Sequence, residues 1–146
     1  MRLRVDGLPI PQGSKSAFPF RRGDGSLGVA VTEGKRAPSL KEWRGAVAAS
    51  ARVWIALNGH PAPLDGPCVM TMIFYLPRPK SAPKRVLYPA VKPDADKLSR
   101  AICDALSRLA YTDDARIVDL RVSKRFAVDS PPGVEIEISE KRAPLG

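Results

Sequence analysis

The sequence predicts a single small α+β domain, a mixed sheet of about four to five strands with two main helices. Three observations lead there. The chain has 146 residues, close to one domain at roughly 150 residues each. Short apolar runs, several with two-residue alternation, occur near both ends and in the middle of the chain. Two longer segments carry apolar residues at three- and four-residue spacing, which is helical. Hydrophobic residues make up 44% and charged residues 27%, the balance of a globular chain rather than a disordered one.

The elements follow in order. Arg2 to Leu8 is a first strand with Leu3 and Val5 inward, ended by Pro9 and Pro11. Residues 12–28 are polar, basic and glycine-rich, and are expected to form a mobile basic loop. Leu27 to Thr32 is a short strand. Ser39 opens the first helix with Glu42 three residues on, a capping box. Leu40, Trp43, Val47, Ala51, Trp54 and Leu57 make its apolar face, and Asn58-Gly59 stops it. Both tryptophans lie on that face, where core or dimer packing competes with stacking on nucleic-acid bases. Cys68 to Leu76 is apolar at nearly every position, so it is expected to be a central strand. Residues 77–93 hold five prolines, which forbid regular structure, and five basic residues with no acid. This second mobile basic loop is expected to touch phosphates. Asp94 to Leu109 is the second helix, capped by Asp94 or Asp96, with Leu98, Ile102, Ala105, Leu106 and Leu109 as its buried stripe. After a turn at Thr112-Asp113-Asp114, Arg116 to Phe126 is a strand with Val118, Leu120 and Val122 on one face. Val134, Ile136 and Ile138 alternate with Glu135 and Glu137 in the last strand.

Several functional classes are excluded. Cys68 and Cys103 form no CxxC pair, so a disulfide scaffold and a structural zinc site are ruled out. Free thiols fit a reducing cytoplasm. The one histidine, His60, follows Asn58-Gly59 and reads as a turn residue. No apolar run reaches the roughly 20 residues of a membrane helix, and no secretory h-region is visible at the N-terminus. No membrane partner is therefore expected. Gly13-Ser14-Lys15 lacks the glycine spacing of a P-loop. Ser81 and Lys84 spell S-x-x-K inside a proline-rich loop, where the match is a coincidence.

The net charge of +9 points to a polyanionic partner, nucleic acid above all. The charge is uneven. Residues 1–93 hold 15 Lys/Arg against 5 Asp/Glu, whereas residues 94–119 hold 4 against 6. All six acids of that island are aspartates: Asp94, Asp96, Asp104, Asp113, Asp114 and Asp119. They repel one another, and a cation would hold them together. Mg²⁺ suits the position, because it prefers oxygen and needs only one or two carboxylates beside phosphate oxygens. A few aspartates within a positive surface suit phosphodiester hydrolysis. The plainer alternative is that these residues are helix caps and a turn. One obstacle is distance. A helix of about 15 residues is some 22 Å long at about 1.5 Å per residue, so Asp94 and Asp114 cannot share an ion unless the chain folds back or a second subunit supplies one of them.

The segments Lys92-Pro93-Asp94-Ala95-Asp96-Lys97-Leu98, Ala101-Ile102-Cys103-Asp104-Ala105-Leu106 and Ala110-Tyr111-Thr112-Asp113-Asp114-Ala115-Arg116-Ile117-Val118, with the later Lys124, resemble the RusA family of Holliday junction resolvases, often carried by phages and prophages. Gly7 to Lys15 and Trp43-Arg44 resemble it more loosely. The resemblance implies a small α+β domain that forms a homodimer, with 1–146 as one nuclease domain. It also implies Mg²⁺-dependent paired nicking of four-way DNA junctions in recombination and repair. Asp94, Asp96 and Asp114 match the family's essential carboxylates and would hold the metal, with Asp113 assisting. Two departures stand out: Lys97 replaces a common Asn, and Arg100 replaces a functional Lys. Arg keeps its charge but does not give up its proton, so Arg100 enters the catalytic set as a phosphate-binding group. The expected DNA contacts are Lys80, Lys84, Arg85, Lys92, Lys97, Arg100 and Lys124. Two other readings compete, a nuclease of the PD-(D/E)xK kind and a non-catalytic basic DNA-binding protein.

Overall fold

The computed structural model describes residues 1–13, 16–21, 27–32, 38–59 and 63–142. The expectations for Ser14-Lys15 and His60 lie outside the described residues. The elements are β1 (Arg2–Asp6), β2 (Ser16–Arg21), β3 (Leu27–Thr32), α1 (Leu40–Asn58), β4 (Cys68–Leu76), α2 (Ala95–Leu106), a single 3-10 turn (Asp114–Arg116), β5 (Ile117–Phe126) and β6 (Gly133–Glu140).

Strands β1, β6, β4 and β5 form the main sheet in that order. β4 is an inner strand, as its composition predicts. It pairs antiparallel with β6 and parallel with β5. A parallel pair needs a crossover, and α2 lies within it. Burial alternates strictly along β4, so Met70, Met72 and Phe74 face the core. The core joins them to Trp43 and Val47 of α1 and to Leu98, Ile102 and Leu106 of α2.

Local chemistry sets the helix ends. The Ser39 hydroxyl accepts from the Glu42 N–H at 3.1 Å, and the Glu42 carboxylate accepts from the Ser39 N–H at 3.4 Å. Gly59 ends α1 with φ 60°, a left-handed conformation that glycine adopts without a Cβ penalty.

Three expectations need correction. Residues 12–28 are not one loop, because Ser16–Arg21 pairs antiparallel with Leu27–Thr32 as a separate two-stranded sheet. Pro19 concealed the strand, yet proline is tolerated on an edge strand, and both strands of a two-stranded sheet are edges. α2 is shorter than predicted, ending at Leu106, because residues 107–111 turn back through the Arg108 N–H to Tyr111 carbonyl bond at 2.7 Å. In β5 the register slips at its start: Cys68 pairs with Ile117, and Val69 with Asp119. The extra residue is a bulge. It takes Val118 out of the expected inward row and leaves it 59% exposed. Leu120 and Val122 still pair with Met70 and Met72, but Leu120 sits at the open margin of the sheet.

Candidate functional site

The acidic island folds into two groups at opposite ends of α2. At the N-terminal end, Asp94 occupies the N-cap position with φ −72° and ψ 140°. Its carboxylate makes no capping hydrogen bond, which leaves the oxygens open to a ligand. Asp94 lies 3.7 Å from the Lys97 ammonium, and Asp96 lies 3.9 Å from the Arg100 guanidinium. These exposed pairs contribute only about 0–1 kcal/mol each. Their consequence is placement: each of the two carboxylates at the start of the helix has a cation beside it.

The approach to Asp94 is braced from β5. Lys124 donates to the carbonyls of Val91 (2.7 Å) and Pro93 (2.9 Å). The sequence suggested a phosphate contact for Lys124, but the structure uses two of its three donors to hold the chain just before Asp94. The 77–93 segment is irregular, as its prolines require. Arg78 organises it, donating to the carbonyls of Val86 and Pro83, both at 2.7 Å. Lys80, Lys84, Arg85 and Lys92 are exposed along this segment.

At the far end of α2, the buried Tyr111 hydroxyl bonds the Cys103 carbonyl at 2.8 Å and the Asp114 carboxylate at 3.0 Å. Burial, and then the negative groups beside it, push the Tyr111 phenol well above its ordinary range. It therefore stays a neutral donor and fixes Asp114. Asp113 caps the 3-10 turn, its carboxylate accepting from the Ala115 N–H at 2.8 Å. The turn is tied to Leu64 through the Thr112 N–H at 2.9 Å, and Asp65 accepts from Thr112 and Arg116. Cys103, beside this group, is a free thiol raised to about 11 by burial first and by Asp114 second. Asp104 bonds the Gln12 side chain, and the Gln12 N–H donates to the Lys97 carbonyl at 3.0 Å.

Asp94 and Asp96 lie two residues apart at the start of α2, and Asp113 and Asp114 are neighbours in the turn beyond its far end. Through Tyr111, Asp114 is held near Cys103, whose place on α2 is about 14 Å along the axis from Asp94 at roughly 1.5 Å per residue. Among the described residues no three His, Cys, Asp or Glu side chains stand where they could hold one ion. Asp94 and Asp96 nevertheless fit Mg²⁺, which takes one or two carboxylates and fills its remaining positions with water and phosphate oxygens.

Sequence reasoning missed Tyr111, Asp65 and Gln12. Tyr111 lies three residues before Asp114, a spacing that could have flagged it. Nothing local marks Asp65 or Gln12, which act across 47 and 92 residues of sequence. Removing the Tyr111 hydroxyl tests its role. Tyr111→Phe is expected to lower stability by about 1 kcal/mol, the net worth of one hydrogen bond, as measured by urea unfolding.

The sequence model of the endodeoxyribonuclease RusA family matches residues 27–139, most of the chain. A Bacillus subtilis (strain 168) protein, YqaN, described as uncharacterized, is 39% identical over 153 aligned positions, which cover 98% of each chain. No helix among the described residues is long and apolar enough to cross a membrane.

Proposed function

Because the chain belongs to the RusA endodeoxyribonuclease family, we propose that it is a Mg²⁺-dependent, cytoplasmic nuclease that resolves four-way DNA junctions by paired nicks, in recombination and repair. In this reading residues 1–146 form one nuclease domain. The observation that carries the proposal is the carboxylate pair Asp94–Asp96, set between Lys97 and Arg100 and approached by an exposed basic segment. Mg²⁺, when bound there, activates water and offsets charge developing on the phosphate. The chain's own cations, Lys97 and Arg100, steer and neutralise the phosphodiester.

The proposal includes a homodimer whose site is composite. α2 starts beside Lys124, near the end of β5, and the turn after α2 feeds the start of β5. A second copy lying antiparallel along this unit would set Asp94 and Asp96 beside Asp114 of the partner subunit. The arrangement is isologous, so one contact creates two sites. It matches the two-fold symmetry of a junction with two strands to cut. β5 supports it, being an edge strand paired only with β4 among the described residues and exposing Val118 and Leu120. The apolar stripe of α2, by contrast, is used in the chain's own core.

Incubating the protein with a labelled four-way junction, with Mg²⁺ and with EDTA, tests the activity. Cutting in Mg²⁺ alone is expected, and binding without cutting in Mg²⁺ would favour the non-catalytic reading. The basic segment makes a separate prediction. Each phosphate contact contributes about 0.9 to the slope of log affinity against log salt. Replacing Lys80, Lys84 and Arg85 together by Gln should lower that slope by about 2.7 in fluorescence anisotropy titrations. An unchanged slope would make the segment a solvated linker.

A further inference from the structure

Beside Asp94 lies a cleft of about 640 Å³ that the catalytic reading leaves without a role. Its size falls within the range of about 300–1,000 Å³ typical of ligand pockets. The lining is mainly apolar and rich in flat surfaces, with Ile10, the buried Pro89 and the ring of Phe126 among it. The charged lining groups are Lys92, Asp94 and Lys97. The walls are built rather than incidental. Arg78 lies over the Phe126 ring, 4.9 Å from its centroid, while its guanidinium holds the carbonyls of Pro83 and Val86. Lys124 fixes the opposite end of the segment at Val91 and Pro93.

We propose that this cleft receives a nucleobase turned out of its stack, from the DNA strand whose phosphate lies at Asp94. The inference rests on the reading of the protein as a junction nuclease and adds a subsite to it. A base has the flat apolar faces that Phe126 and the prolines match, and its attached phosphate meets Lys92 and Lys97. The cleft and the carboxylate pair are continuous through Asp94, so one nucleotide can reach both. Turning out a base costs least where pairing and stacking are already interrupted, as at a branch point. The cleft thereby favours branched over continuous duplex DNA. Stacking accepts every base, because each has a π-face, so the expected selection is for an unstacked base rather than for one base identity.

Binding in EDTA tests this independently of cutting. A junction series would carry a single abasic nucleotide at each position near the crossover in turn. The unsubstituted protein is expected to lose about ten-fold in affinity at one position, a loss within the range one stacked base contributes. Phe126→Leu should cause a similar loss on the intact junction and no further loss on that abasic junction, and Phe126→Tyr should restore binding. Equal affinity across the series would overturn the proposal. So would an equal effect of Phe126→Leu on intact and abasic DNA. Abasic sensitivity in a protein that never cuts in Mg²⁺ would keep the cleft and remove the nuclease reading.

Discussion

Asp94→Asn is expected to lower junction cleavage about a thousand-fold and to leave junction binding unchanged or slightly tighter. The carboxylate sits at the N-cap of α2 without a capping bond, so its loss removes no fold contact of consequence. A bound divalent ion contributes several kcal/mol of charge stabilisation, and each 1.4 kcal/mol or so is ten-fold in rate. Removing one negative charge also lessens repulsion of the DNA backbone. Asp96→Asn and Asp114→Asn should behave alike. Single-turnover cleavage with matched anisotropy titrations reads both quantities. Undiminished cutting by the Asp94→Asn protein would remove the assignment.

Trp43→Ala is expected to cost about 3–5 kcal/mol of stability, the usual range for a buried aromatic cut to Ala. Trp43 is 2% exposed and joins α1 to the sheet. Its ring packs beside Gly7, where an added Cβ would come within 3.3 Å of it, and Gly7 holds φ 137°. Against a typical total of about 5–15 kcal/mol, that loss leaves a barely folded chain. The indole N–H is buried without a partner among the described residues. Trp43→Phe should therefore be milder, since it keeps most of the ring and removes that orphan donor. Urea midpoints separate the two variants. If Trp43 were a base-stacking residue, Trp43→Ala would weaken DNA binding without lowering the midpoint.

The pattern of agreement follows from range. α1, β4 and β6 were readable because their signals are local: a capping box, a nearly continuous apolar run and a two-residue alternation. The place of Asp94 and Asp96 at a helix start was readable for the same reason. β2 was missed because Pro19 argues against a strand unless the partner is known. The bulge at Val118 depends on how β5 meets β4, which no window of sequence contains. Lys124 was read from the sequence as a DNA contact. Its role became visible only when β5 lay against the carbonyls of Val91 and Pro93, more than 30 residues earlier. The different fixings of Asp113, which caps the turn, and Asp114, which is held by Tyr111, appear only in the folded chain.

In the proposed homodimer one site takes Asp94 and Asp96 from one chain and Asp114 from its partner. Mixing two inactive proteins tests it most directly. Asp94→Asn and Asp114→Asn chains, unfolded and refolded together so that subunits exchange, would form mixed dimers. Each mixed dimer has one site with both substitutions and one with neither. The account predicts that cutting returns on mixing, as single nicks in one strand of the junction rather than paired cuts. A mixture as inactive as its components, although mixed dimers are present, would contradict it.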